Sequence, residues 1–501
     1  MNLNPIKISL TIIATLLVLL ALTYFSEATL LEDGSTKEGY TFFNTIIKYP
    51  TTNRFFTSEE LSKQKIKSID SIVSNIEDIV VENFTNDLDS LTDAEIAARK
   101  NNFKATIPDF SKVDTSKIQR ITYPKDRIKF ITDLKNNLSS ENSRVIHYGD
   151  SQLEGDRISA YVRNRLQQLY GGSGVGFIPV VQTYQQISVG ITPSINWERY
   201  AYFDPSKEKF QHKKYGAYTS LARFTPYYKE TDSINVDTLA ITTATISIKP
   251  SPKSYRLLKD YTSVNLHYGN LRTPSTLEVF NDGVLIKKDT LRTNGKYHNL
   301  KLKFKQTPQD LSLVFKGKVS PDVYGLTLDS ETGLHLDNVA MRGSSGTIFS
   351  GLDSESFTAM YKNLDPKVVI FQYGGNTVPY LKDSVAVTNY TSYLKNHINW
   401  VKRKTNNASV IFIGPSDMTT KENGIMKTYD LLPFLNESLE KMCHNTNVAY
   451  WSMFKAMGGT NAMQHWVDQN LAGSDYTHFT ASGTKIISEL FFLALYMDLK
   501  K

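Results

Sequence analysis

Apolar positions fall into two alternating styles along this chain. Within 121–180 and again from 336 to the C-terminus, short apolar runs alternate with longer stretches of helical spacing. The runs are Arg144–Tyr148, Leu334–Ala340, Lys367–Gln372, Ser409–Gly414 and Val448–Trp451. The helical stretches are Asp126–Leu138, 156–169, Val385–Lys402, Leu432–Cys443 and Thr480–Leu499. Continuous apolar strands separated by helices predict an α/β fold of three layers, α/β/α, with a parallel sheet covered on both faces. Between 181 and 335 the pattern changes. Aromatic and β-branched residues alternate with polar ones in short runs: Thr238–Ile248, Ser263–His267, Leu277–Phe280, Val284–Lys287, Leu300–Phe304 and Leu311–Phe315. Asn281-Asp282-Gly283 is a hairpin signal between two of them. This segment predicts a β-sandwich inserted into the α/β unit.

The N-terminus differs from both. Ile8 to Phe25 is an apolar run of 18 residues preceded by Lys7. That length just spans a hydrocarbon core, so 1–28 reads as an uncleaved signal anchor, a transmembrane helix with the rest of the chain outside. A signal peptide cleaved after Ser26-Glu27-Ala28 is the other reading. Either places the remainder beyond the cytoplasmic membrane, facing the periplasm or the exterior. Residues 29–120 are polar. They read as a spacer with one amphipathic helix from Ser58 to Val81 and an Asn/Asp/Ser/Thr-rich stretch over 82–118.

Composition narrows the chemistry. Of 501 residues, 40% are apolar and 21% charged, as in a globular protein. The net charge of +7 comes from 57 Lys and Arg against 50 Asp and Glu, spread without long basic blocks. No basic, aromatic-interleaved motif points to nucleic acid. The single cysteine, Cys443, excludes an intramolecular disulfide and a cysteine-held metal, and its helical setting suits a buried side chain. No His-Glu-x-x-His pair or His/Asp cluster suggests a metal site, and no cofactor motif is present. The glycine run Gly171 to Phe177 lacks the Lys-Ser/Thr pair of a phosphate loop.

Three separated segments carry candidate chemistry. Val145 to Tyr148 leads into Gly149-Asp150-Ser151, a strand ending in a tight turn that holds a hydroxyl at the strand's C-terminal end, where α/β sheets bind ligands. Phe371-Gln372-Tyr373 runs into Gly374-Gly375-Asn376, and Asp475-Tyr476-Thr477-His478 precedes the last helix. A serine needs an oriented base to act as nucleophile. Ser151 as nucleophile, His478 as base and Asp475 as its orienting carboxylate meet that need, and the Asp-x-x-His spacing lets one loop present both partners. Asp150 reads as a turn former. His147 and His335 read as structural, and His444 and His465 belong to no cluster. Arg157 and Arg342 suit either a polar substrate or the surface, and Trp466 reads as a core aromatic before a sugar platform.

Gly149-Asp150-Ser151, then a glycine, then Gly375-Asn376 within Gly-x-Asn, then Asp475-x-x-His478 resembles, in order, the blocks of the SGNH (GDSL) hydrolases. The resemblance covers 145–180 and 335–500. It implies an SGNH-type three-layer domain in two parts, 121–180 and 336–501. It also implies an oxyanion hole made from the Ser151 N–H, the Asn376 amide and a glycine N–H. Gly346 fits that glycine better, with Gly343 the alternative. Thr377 departs from the family, where Asp commonly follows the Asn. The inserted 181–335 sandwich occupies the place of a carbohydrate-binding-like sandwich in bacterial peptidoglycan O-acetylesterases of this family; it either binds glycan or shapes the cleft. The function implied is a serine esterase removing O-acyl, chiefly O-acetyl, groups from a cell-envelope polysaccharide through an acyl-enzyme. Two alternatives remain. One is a polysaccharide O-acetyltransferase served by a membrane acyltransferase partner. The other is a glycan-binding envelope protein with a disused scaffold.

Overall fold

The computed structural model of the chain describes residues 5–30, 36–42, 45–50, 108, 110, 114–228, 235–422 and 424–500. Its centre is a five-stranded parallel sheet. In chain order the covering helix α1 (Arg127–Leu138) leads into β1 (Asn142–Gly149), followed by α2 (Arg157–Tyr170) and β2 (Gly333–Ala340). Helix α3 (Ser354–Leu364), β3 (Val368–Gln372), α4 (Ser384–Lys402) and β4 (Ser409–Ile413) continue the alternation. Helix α5 (Leu432–Asn445), β5 (Ala449–Trp451) and α6 (Ala481–Leu499) complete it. The spatial order is β2-β1-β3-β4-β5.

Both faces of the sheet are buried, which is why its strands lack a polar alternation. Val145, Val368, Ile370, Ile411 and Ile413 pack with α1, α2 and α6. Their neighbours Ile146, Val369, Phe371, Val410 and Phe412 point the other way, against α3, α4 and α5. Cys443 is buried in that second layer, as its helical spacing suggested. Strand register, more than composition, positions the site. Gly149 is paired with both Ala340 and Gln372, so β2, β1 and β3 end level at the C-terminal edge of the sheet. The three loops leaving that edge therefore start side by side.

The inserted segment forms two antiparallel sheets. One contains Ser263–Gly269, His298–Lys303, Asp322–Asp329, Ser220–Arg223, Glu198–Ala201 and, paired with Asp322–Asp329, Gly176–Ile178. The other runs Val284–Thr290, Ser275–Asn281, Leu311–Gly317, Thr242–Pro250, Val189–Pro193. Ile246, Ile248, Leu277 and Val279 from one sheet share a core with Val264, Leu266, Leu326 and Leu328 from the other. The strands of this sandwich begin at Gly176, before the expected 181.

The sandwich is joined to the parallel sheet by buried polar contacts. Asp337 on β2 accepts from Arg144 of β1 at 2.6 Å, from the Tyr218 hydroxyl at 2.9 Å and from the Phe177 N–H at 3.0 Å. The same guanidinium reaches Asp329, at the end of a sandwich strand, at 2.6 Å. Each carboxylate oxygen so engaged has traded water for a charged or polar donor, the condition under which a buried charge is tolerated.

The N-terminal expectation is met only as far as a helix. A helix does run Pro5–Tyr24, with Leu16, Leu17 and Leu20 exposed. Among the described residues no helix is long and apolar enough to cross a membrane. The segment after it, expected to be a polar spacer, begins with a three-stranded antiparallel sheet, Glu27–Leu30, Thr36–Phe42 and Thr45–Lys48. The amphipathic helix expected over 58–81 lies outside the described residues, as does most of 82–118.

Replacing Arg144 with Met leaves Asp329 and Asp337 buried without their shared cation. The expected loss is about 3–5 kcal/mol of unfolding free energy, read from urea denaturation of the full chain. A loss under about 1 kcal/mol would show that the network does not hold the two units together.

Candidate active site

The turn after β1 is shaped by what cannot fit there. A Cβ on Gly149 would lie 2.6 Å from Leu153 Cδ1 and 3.2 Å from Gln372 Cβ, so the strand end accepts no side chain. The Asp150 carboxylate then accepts the Gln152 N–H at 3.0 Å, which starts the short 3-10 turn Ser151–Asp156. Asp150 thus does the turn-forming work its residue type suggested. Ser151 sits at the first position of that turn, largely buried, with its hydroxyl 2.7 Å from His478 Nε2.

His478 is held from its other side. Its Nδ1 lies 2.7 Å from Asp475 Oδ2, while Asp475 Oδ1 accepts the backbone N–H groups of Thr477 and His478 at 3.1 and 3.0 Å. One carboxylate oxygen therefore shapes the loop and the other aligns the ring. Burial pushes the Asp475 carboxyl up, but those N–H and ring contacts outweigh it and hold it below the usual carboxylate range. The loop is closed by Gly473 N–H donating to His478 C=O at 2.8 Å. Gly483 in the first turn of α6 completes the fit: a Cβ there would come within 1.8 Å of the Leu471 carbonyl oxygen.

Two contacts lock the serine turn to the histidine loop. Gln152 Nε2 donates to Thr477 C=O at 2.7 Å, and Arg157 Nη1 donates to Phe479 C=O at 3.0 Å. Arg157 also donates through Nε to Glu154 C=O at 3.0 Å, so its guanidinium braces both loops. Sequence reasoning leaves Arg157 between substrate and surface and misses Gln152, whose only signal is adjacency to Ser151.

The remaining expected residues divide. Asn376 and Gly375 line one cleft of about 430 Å³ together with Ser151, Gln152, Tyr373, Met418 and His478. Asn376 Nδ2 donates to Ser344 C=O at 3.1 Å, and an amide NH₂ carries a second proton for another acceptor. Gly346 and Gly343 differ in their surroundings. The Gly346 N–H donates to the Ser344 hydroxyl at 3.1 Å, and its α-carbon sits so close to the Tyr373 ring that a Cβ would lie 2.7 Å away. That amide is already engaged within its own loop. Gly343 is different: a Cβ there would meet nothing within 4 Å, although its φ of +76° favours glycine.

Three of the other histidines have partners elsewhere. His147 is buried between Gln372 Oε1 at 3.1 Å and the Ser159 hydroxyl at 3.2 Å, and burial pushes its pKa down to about 3. His335 lies 3.4 Å from Asp329, and burial again dominates, lowering it to about 4. His444 contacts the Thr122 hydroxyl at 3.0 Å. Trp466 is buried against Phe479, with its indole N–H donated to Met457 C=O at 3.1 Å, so it backs the histidine loop from the core. Among the described residues no group of His, Cys, Asp and Glu is placed to hold a metal ion.

Asp150 yields a pH test. Burial raises its pKa from 3.8 to about 6. Between those values the folded chain keeps a proton that the unfolded chain has lost, so this group's contribution to stability falls as pH rises through that window. Asp150→Asn keeps an acceptor for the Gln152 N–H and removes the buried charge. The variant is expected to gain on the order of 1–3 kcal/mol over the wild type at pH 7.5 and to match it near pH 4, read by thermal melts across pH. A variant no more stable at pH 7.5 would contradict this.

Neither a protein-family model nor a curated protein matches the sequence. Solved structures do. A peptidoglycan O-acetylesterase superposes with a TM-score of 0.56 at 17% identity, covering 74% of this chain and 96% of that one. A family two carbohydrate esterase from Clostridium thermocellum has a TM-score of 0.26 at 11% identity, covering 62% of this chain and 99% of that one. A GDSL-like lipase from Bacteroides ovatus has a TM-score of 0.25 at 10% identity, with coverages of 62% and 98%. The first superposition alone carries weight, and it extends over nearly the whole of its partner. With the blocks Gly149-Asp150-Ser151, Gly374-Gly375-Asn376 and Asp475-Tyr476-Thr477-His478 meeting at one sheet edge, the chain has the fold of the SGNH (GDSL) hydrolases.

Proposed function

We propose that the protein is a serine esterase that removes O-acyl groups, chiefly O-acetyl, from a cell-envelope polysaccharide. The observation that carries this reading is the unbroken line of contacts from Ser151 Oγ through the His478 ring to Asp475, both 2.7 Å, opening onto a cleft.

The chemistry derives from that line. Ser151 Oγ attacks the ester carbonyl while its proton passes to His478 Nε2; Asp475 holds Nδ1–H and stabilises the imidazolium. The carbonyl oxygen becomes an oxyanion. The Ser151 N–H, the second proton of Asn376 Nδ2 and a glycine N–H, that of Gly346 with Gly343 the alternative, are the donors assigned to it. His478 returns its proton to the sugar oxygen as the C–O bond breaks, leaving acyl-Ser151 and a free hydroxyl. Water, deprotonated by His478, then attacks the acyl carbon; the bond from that carbon to Ser151 Oγ breaks as His478 returns the proton to Oγ, releasing acetate and the free serine.

The substrate class rests on two supports. The superposed structure is a peptidoglycan O-acetylesterase. The inserted sandwich stands beside the same sheet edge, where it can engage a polymer that a small ester would not need. Placement outside the cytoplasmic membrane belongs to the proposal too, supported by the apolar helix Pro5–Tyr24 and its exposed leucines.

Turnover of 4-nitrophenyl acetate and release of acetate from an O-acetylated glycan test the reading on the full chain. Ser151→Ala and His478→Ala are each expected to lower kcat/KM by at least about 10³-fold. The double variant should be scarcely worse, because the two act as a unit. Full activity in Ser151→Ala would overturn the assignment.

A further inference from the structure

A second cleft, of about 510 Å³, opens where the inserted sandwich meets the parallel sheet. It adjoins the first. The turn that presents Ser151 and Gln152 to the catalytic cleft presents Glu154 and Gly155 to this one. Its opposite side includes Ala340, the β2 residue paired with Gly149. The sandwich side supplies Gln182, Tyr184, Arg199 and Phe203.

The groups that line this second cleft include one more cation than anion. Glu154, Arg199 and Arg342 are its ionisable lining groups apart from tyrosines. Glu154 and Arg342 pair with each other at 2.7 Å, with the Arg342 guanidinium over the Tyr184 ring. Arg199 makes no such ion pair among the described residues; Glu154 and Asp204 favour its charge from a greater distance, and its guanidinium lies 5.8 Å from the centre of the Phe203 ring. Its two terminal nitrogens donate at 3.4 Å to the Thr183 hydroxyl and at 3.3 Å to the Ser220 hydroxyl, both long contacts. Its Nε is buried with no acceptor at all. Gln182 repeats the pattern: its Oε1 accepts the Gln186 N–H at 3.0 Å, while its Nε2 is buried and unpartnered. Burial lowers the Arg199 pKa only to about 10, so it stays a cation at neutral pH.

Two orphaned buried donors, one of them charged, in one cleft are costly unless an acceptor completes them. A hydroxyl would satisfy one. A carboxylate, with two oxygens and a charge opposite to the guanidinium, matches the weakly engaged terminal nitrogens of Arg199 better. We infer that this cleft is a subsite for a carboxylate carried by the glycan, with Arg199 as its principal ligand and Gln182 as its second donor. The inference rests on the esterase reading for the chemistry in the adjoining cleft. It gives the inserted sandwich the role of recognising an acidic sugar polymer and laying its acylated hydroxyl across the Ser151 turn.

The test compares O-acetylated polygalacturonan, the same polymer with its carboxyls reduced to alcohols, O-acetylated peptidoglycan and 4-nitrophenyl acetate. In the full chain, Arg199→Gln is expected to raise KM on a carboxylate-bearing glycan about tenfold more than it lowers kcat. The loss should be far smaller on the reduced polymer and on 4-nitrophenyl acetate, and Arg199→Lys should restore part of it. Loss confined to polygalacturonan places the carboxylate on a uronic acid; loss confined to peptidoglycan places it on that polymer's acidic substituents. An equal loss on all substrates, or none on either acidic glycan, overturns the subsite. Calorimetric binding of unacetylated polygalacturonan or peptidoglycan fragments to the Ser151→Ala chain, with and without Arg199→Gln, separates the two claims. Binding that depends on Arg199 in a protein whose wild type turns over no ester would sink the esterase and leave the subsite standing. Turnover without Arg199-dependent binding would do the reverse.

Discussion

Ser151 Oγ and His478 Nε2 stand 2.7 Å apart although 327 positions separate them in the chain. That one contact is what the rest of the structure has to guarantee. A hydroxyl and an imidazole on independent loops would share a pocket only rarely. Here each loop is fixed from within by Asp150 or Asp475, and the two are fixed to each other by Gln152 and Arg157. The level ending of β2, β1 and β3 brings out together the loops that carry Ser151, Gly343 and Asn376, and the Leu471–Gly483 approach seats the histidine loop on α6. Preorganisation of this kind lowers the cost of reaching the reactive geometry before any substrate arrives.

The sandwich is part of the same construction. Asp337 and Arg144 lie in neighbouring strands of the parallel sheet, yet their hydrogen bonds extend to Phe177, Tyr218 and Asp329 on the sandwich side. Charged groups buried at such a junction fix one relative arrangement, because any other strands a charge without a partner. The second cleft lies along this junction. Its shape and the setting of Arg199 are therefore consequences of how the two units are joined.

Much of this was legible in the residues. Continuous apolar strands separated by amphipathic helices announce a sheet covered on both faces, and Val145/Ile146 and Val369/Ile370 do pack on opposite layers. Gly149-Asp150-Ser151 and Asp475-x-x-His478 announce themselves because turn geometry restricts which residues can stand there. Other features were hidden for physical reasons. Gly343 and Gly346 look alike in sequence, and only the Tyr373 ring and the Ser344 hydroxyl around Gly346 distinguish them. Gln152 and Arg157 act through backbone carbonyls far along the chain, which no local pattern encodes. The strands Glu27–Leu30 and Thr36–Phe42 are short and polar, without the alternation that marks a strand half-buried on one face.

The most direct measurement of the central claim is chemical. An activated phosphonate ester of a small acyl mimic should react once per chain, and peptide mapping by mass spectrometry should place the phosphonyl group on Ser151. The same reagent should leave the His478→Ala chain unmodified over the same interval, since the hydroxyl then lacks its base. A label on another residue, or equal labelling of Ser151 with and without His478, would show that the serine and the histidine do not act together.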